Sequence, residues 1–152
     1  FDNSIPVFFL SLALFYFYRE VSYQVFFLSY LSTGLLVWLV GREAYHIGAS
    51  GIIYSLAAFL FVSGILRKNR NLLAISLLVT FLYGSMIWGL LPYDYKISWE
   101  SHLMGAITGV ALAFIYRKYG PEPDINVIPE DIDEEEAELI SKEASEEKDF
   151  KK

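Results

Sequence analysis

The chain has 152 residues, 55% of them apolar and 17% aromatic, with only 20% charged, no cysteine and a formal net charge of −6. The absence of cysteine excludes a disulfide framework and thiolate catalysis. Residues 121–152 hold 13 acidic side chains and 4 lysines, a net of −9, whereas residues 1–120 hold 5 acidic against 8 basic, a net of +3, so the acidity belongs to a tail and gives no sign of a nucleic-acid partner.

The chain opens on Phe1, directly in apolar sequence and without a basic stretch or a small-residue cleavage site, which argues against a signal peptide. It is read as lacking an upstream part. The first apolar segment runs from about Ile5 to Tyr18 and stops at Arg19-Glu20. Pro6 suits a first helical turn, where its missing N–H costs nothing. The second covers Val25 to Val40 and is closed by Gly41-Arg42-Glu43; the third runs from Gly51 to Ile65 and ends at Arg67-Lys68-Asn69-Arg70. The fourth is Leu72 to Leu91, stopped by Pro92, and the fifth is His102 to Tyr116, ended by Arg117-Lys118.

Hardly a charge lies inside any of these runs, so a water-soluble bundle built from them would have no solvent face. The expected fold is therefore all-α, a polytopic membrane helical bundle. The basic clusters at 67–70 and 117–118, with Arg19, fall on one side if the segments alternate, which marks that side as cytoplasmic. The expected division is a membrane domain of five helices over residues 1–118 and an acidic tail over residues 119–152. With Pro121, Pro123, Pro129 and the run Glu130-Asp131-Ile132-Asp133-Glu134-Glu135-Glu136, that tail has too little apolar area to offset ordering, and is expected to be disordered.

This topology puts Ser50, at the mouth of the third segment, and His102, at the mouth of the fifth, at similar depth on the non-cytoplasmic side. An imidazole within reach of a serine hydroxyl can activate it as a nucleophile. An ionisable group at membrane depth is a functional candidate by default. Gly105 and Gly109 follow His102 by three and seven residues and share its face, where small residues let helices approach. Tyr54, four residues after Ser50, lies on the serine face and is placed to pack on the His102 ring. Each feature has a plainer reading: Ser50 as a helix N-cap, Gly105 and Gly109 as ordinary helix packing. His46 is read as a loop residue at the mouth of the site, and Glu100, two positions from His102, as an interfacial polar residue and not a third catalytic member.

Taken together, Gly48-Ala49-Ser50-Gly51 with Tyr54, and His102 with Gly105 and Gly109, resemble the rhomboid intramembrane serine proteases. The resemblance covers residues 1–118 and implies five of six core helices, the family's first helix and long first outer loop being absent from this chain. It implies Ser50 as nucleophile and His102 as general base, a dyad with no acidic third member. It also implies that Asn3 matches an oxyanion-binding asparagine of the family's second helix, whose companion histidine would lie before Phe1. The implied activity is endopeptidase cleavage of transmembrane segments of membrane proteins near the non-cytoplasmic face, in contact with the lipid bilayer. No cofactor is expected, and with two histidines, no cysteine and carboxylates mostly in the tail, no metal site is expected either. The implied location is a bacterial inner (cytoplasmic) membrane, crossed several times, with the tail in the cytoplasm. Tyr83, Ser85 and the Gly84/Gly89 pair are read as loosening the fourth segment as a lateral gate. The alternatives are a catalytically inactive rhomboid-like protein that binds membrane clients, or an inactive truncated fragment.

Overall fold

The structure is a computed structural model that describes residues 3–42, 49–82 and 98–123. These form five α-helices: α1 (Ser4–Phe17), α2 (Ser22–Val40), α3 (Ser50–Leu66), α4 (Arg70–Leu82) and α5 (Trp99–Ile115). No strand occurs among the described residues. Several expectations fall outside them: Gly48, His46, Tyr83, Gly84, Ser85, Gly89, the fourth segment beyond Leu82, and the tail from residue 124.

The helices are sorted by what each sequence can bury. α3 is apolar all round, and a helix of that kind belongs in an interior. Most of it is buried, including Ile52, Ile53, Leu56, Phe59 and Leu60, and the other four helices all pack on it. α1 turns one stripe inward, Pro6, Leu10, Ala13 and Leu14. Pro6 falls in the first helical turn, where its missing N–H would have had no intrahelical acceptor. α2 buries a narrow line of small or β-branched residues, Ser22, Val25, Ser29, Thr33 and Val37. Its large side chains point the other way: Tyr23, Phe27, Leu31, Leu35 and Trp38 are all more than half exposed. Small and hydroxylated inside, bulky and apolar outside, reverses the arrangement expected in water and suits helices that pack through small residues against lipid. α2, with 19 residues, is the one described helix long and apolar enough to cross a bilayer by length and composition; the other four are shorter apolar helices.

Contacts fix the helix directions. The Tyr18 ring, just past α1, packs edge-on against Phe59 in the second half of α3, with centroids 4.9 Å apart. It also lies against Gly120, beyond the end of α5. α1, α3 and α5 therefore run parallel, and their C-terminal ends share one end of the bundle with Arg19, Arg67 and Arg117.

That end is closed by a compact set of backbone bonds. The N–H of Lys68 donates to the Ile65 carbonyl at 3.2 Å, and that of Asn69 donates to the Gly64 carbonyl at 2.9 Å. With Lys68 at φ 51°, this is the αL helix stop known as the Schellman arrangement. Asn69 then starts α4, its Oδ1 accepting the Leu72 N–H at 3.1 Å. Its Nδ2 donates to the Glu122 carbonyl at 3.2 Å. The Arg67 guanidinium donates to three carbonyls, those of Arg117 (2.9 Å), Gly120 (3.1 Å) and Pro121. Gly120 must be glycine on two counts: its φ is +104°, and a Cβ there would run into the Tyr18 ring. The first residues after α5 are thus held against the α3–α4 turn.

Replacing Arg67 by Ala is expected to cost about 2 kcal/mol, because three carbonyls at the end of α5 lose a charged donor while retaining access to water. Thermal unfolding in detergent reads this as a lowered midpoint, and Arg67→Lys recovers only part of it, since an ammonium lacks the guanidinium fork.

Candidate active site

The opposite end of the bundle is built on the approach of α5 to α3. A Cβ at Gly105 would overlap the Gly51 carbonyl oxygen and come within 3.3 Å of the Tyr54 Cβ. One at Gly109 would overlap the Ser55 carbonyl oxygen and meet the Phe59 nitrogen at 2.9 Å. On α3, a Cβ at Gly51 would lie 2.6 Å from Ser101 Oγ and 2.9 Å from Thr33 Cγ2. With no side chain at these three positions, the two backbones lie almost in contact.

That spacing sets His102 against Tyr54. Their rings are stacked, with centroids 4.2 Å apart and planes 12° from parallel, and each residue is only 7% exposed. The contact expected from the spacing of the two residues is present. His102 lies one turn inside α5 and not at its entrance, because Trp99, Glu100 and Ser101 are already helical. The His102 N–H donates to the Ser98 carbonyl at 3.3 Å.

Ser50 is the first residue of α3 and is partly buried. The N-cap is Ala49, and no side chain caps the helix. The plainer reading of Ser50 as an N-cap is therefore not the arrangement seen. As the first helical residue, Ser50 has a backbone N–H without an intrahelical acceptor, at the positive end of the helix dipole. Asn3 occupies the N-cap position of α1, exposed and making no side-chain cap bond. Since α1 and α3 are parallel, Asn3 and Ser50 lie toward the same end of the bundle.

Two residues of this end were given other readings from sequence. Glu100 was expected to be interfacial; it is 5% exposed, and its Oε1 lies 3.1 Å from Nε of Arg42, the second residue beyond α2. A carboxylate in the first turn of a helix is favoured by the dipole, and burial is tolerable only with a partner. Below the site, the hydroxyls of Ser29, Thr33, Ser55 and Thr108 are buried without a hydrogen-bond partner among the described residues. No group of three or more potential metal ligands forms among the described residues.

Two large grooves open on the surface of the described residues. One of about 860 Å³ adjoins the site, lined by Thr33, Gly34, Trp38, Ala49, Gly51 and Ser101 among others. The second, of about 760 Å³ and almost wholly apolar, lies between α1 and α4, with Phe9, Ala13, Tyr16, Ile75 and Val79 in its walls, and contains none of the candidate site residues.

The chain is 37% identical over 91 residues to the uncharacterized protein Rv1337 of Mycobacterium tuberculosis, covering 54% of this chain and 38% of that protein. The uncharacterized protein Mb1372 of Mycobacterium bovis matches to the same extent. The uncharacterized protein ML1171 of Mycobacterium leprae is 36% identical over 92 residues, covering 54% of this chain and 36% of the relative. The chain thus spans less than two fifths of the length of these relatives. No solved structure matches. The family model described as Rhomboid domain matches residues 5–119, nearly all of the helical part, and the chain belongs to the rhomboid family of membrane proteins.

Proposed function

We propose that this chain carries the catalytic core of an intramembrane serine endopeptidase, which cleaves transmembrane segments of membrane proteins near the non-cytoplasmic face. Family membership suggests the protease class. The observation that carries the reading is the stack of Tyr54 on His102, held by the glycine contacts of α5 on the helix that begins with Ser50. An aromatic face fixes the imidazole plane in a protein without an acidic third member to orient it.

In this mechanism the Ser50 hydroxyl attacks the scissile carbonyl carbon while His102 accepts its proton. The tetrahedral oxyanion takes hydrogen bonds from the Ser50 backbone N–H and the Asn3 side-chain amide. Collapse breaks the C–N bond, and the leaving nitrogen takes the proton from His102. Water then attacks the acyl ester with His102 again as base, releasing the carboxylic acid and restoring Ser50. Hydrocarbon cannot supply that water. The buried hydroxyls of Ser29, Thr33 and Thr108 offer it hydrogen-bonding stations between α2 and α5. The apolar cleft between α1 and α4 supports the fourth segment as the side on which a substrate helix approaches. The bundle crosses the bilayer several times, with Arg19, Arg67 and Arg117 and the acidic tail on the cytoplasmic side, as in a bacterial inner membrane.

A serine-directed fluorophosphonate tests the reading in the full-length protein in detergent. Labelling is expected at Ser50, lost in Ser50→Ala and sharply reduced in His102→Ala. Labelling that persists without Ser50 sinks the proposal, and a folded wild-type protein that never labels favours a client-binding protein without protease activity.

Tyr54 gives a graded check. Tyr54→Phe keeps a stacking ring and is expected to label within about twofold of wild type. Tyr54→Leu removes an aromatic pair worth about 1 kcal/mol and is expected to label several-fold more slowly. Equal rates for the two variants would show that the ring does not orient the imidazole.

A further inference from the structure

We propose that the ion pair between Arg42 and Glu100 is a positioning device for the catalytic end of α5, fixing the rotation and depth at which His102 meets α3. This rests on the dyad reading above. Neither residue touches the reacting atoms in it, so both are positioning residues.

Three successive residues of the first turn of α5 meet different neighbours. Glu100 reaches Arg42 just beyond α2, Ser101 sits against Gly51, and His102 stacks on Tyr54. Residues two apart on a helix do not share a face, so Glu100 cannot hydrogen-bond the His102 imidazole as a third triad member. It can fix the helix that carries it. The contact therefore ties the end of α2 to the helix bearing the base.

The energetics favour positioning over simple stabilisation. The Glu100 side chain is 7% exposed and that of Arg42 32%, so the carboxylate has given up nearly all its hydration. Against that loss stands the 3.1 Å approach of Arg42 Nε to Oε1, and Oε2 of Glu100 is buried without a partner among the described residues. A buried pair of this quality is often no better for stability than apolar side chains of similar volume, and its best-attested use is to fix a register. The glycine face of Gly105 and Gly109 sets how closely α5 approaches α3, and the pair adds a contact with α2's end outside that face.

The test uses the full-length protein with Glu100→Gln, Arg42→Gln, the double variant and Arg42→Lys. Measurements are kcat and KM on a transmembrane substrate, the fluorophosphonate labelling rate, the thermal midpoint, and the ring-proton NMR shifts of His102, assigned by their loss in His102→Ala. In the folded wild type the Tyr54 ring is expected to shift those protons upfield. Each glutamine variant is expected to lower kcat by about 10- to 100-fold, the scale of an ångström-sized misplacement, with KM within about twofold. The His102 protons are expected to move toward ordinary positions. The double variant, which leaves no unmatched charge, is expected to fold as well as wild type while keeping the kcat defect, and Arg42→Lys to recover most of the rate. A lowered midpoint with kcat per folded molecule and the His102 shifts unchanged in the double variant would overturn the proposal. The ring shifts do not depend on activity. If wild type fails to label at Ser50, the protease reading falls, while the shifts still decide whether the pair positions His102.

Discussion

Replacing His102 by Ala is expected to slow substrate cleavage by about 10⁴-fold or more, close to the loss in Ser50→Ala, and the double variant to lose little beyond either. The reason is that nucleophile and base act as one unit: without the imidazole, the hydroxyl must shed its proton unaided; without the hydroxyl, the imidazole has nothing to activate. Cleavage in proteoliposomes measures this, with the thermal midpoint as a check on folding. Because Ser50 is only partly buried at the start of α3, its truncation to Ala is expected to leave the midpoint within about 1 kcal/mol of wild type in stability terms. Multiplicative losses in the double variant would mean that the two residues act separately, and the dyad would not stand.

The largest structural effect is expected at the α3–α5 contact. Gly109→Val places a branched side chain where even a Cβ overlaps the Ser55 carbonyl oxygen, and backbone has no flexible end to move aside. The helices must separate, at a cost of about 3 kcal/mol or more. Gly105→Ala meets the Gly51 carbonyl in the same way, directly beside the Tyr54–His102 stack, and is expected to lower cleavage about 100-fold through displacement of the imidazole. Gly34→Ala supplies the internal contrast. No atom lies within 4 Å of a Cβ there, so removing backbone freedom in a helix is expected to raise stability by about 0.5–1 kcal/mol. Thermal unfolding of the three variants decides the point: opposite signs are expected, and a shared sign would mean that the close approach of α3 and α5 is not what the glycines provide.

The helices themselves were legible because a chain in lipid must satisfy its backbone internally, so each apolar run is also a helix. Their ends were less so. The fifth apolar run starts at His102, yet Trp99-Glu100-Ser101 forms the first turn of α5, since Glu100 suits a helix start and finds Arg42. Ser22 to Gln24 likewise belongs to α2, although the apolar run starts at Val25. Apolar runs mark membrane depth, whereas helices continue past it. The stacking partner of His102 was legible from the spacing of Tyr54 after Ser50, because two helix faces with glycines opposite leave few alternatives. The Arg42–Glu100 pair was not, because it joins residues 58 positions apart through helix rotation, which no local pattern encodes. The docking of residues 120–122 on Arg67 and Asn69 was missed for a related reason: backbone carbonyls accept from side chains whatever residues carry them.

The central claim is that Ser50, activated by His102, cuts a peptide bond within a membrane segment. Its most direct measurement is mass spectrometry of the products formed when the full-length protein is reconstituted with a single-pass substrate in liposomes. Wild type is expected to yield two fragments whose masses place the cut inside the transmembrane segment toward its non-cytoplasmic end, and Ser50→Ala none. The same fragments produced by Ser50→Ala would contradict the account.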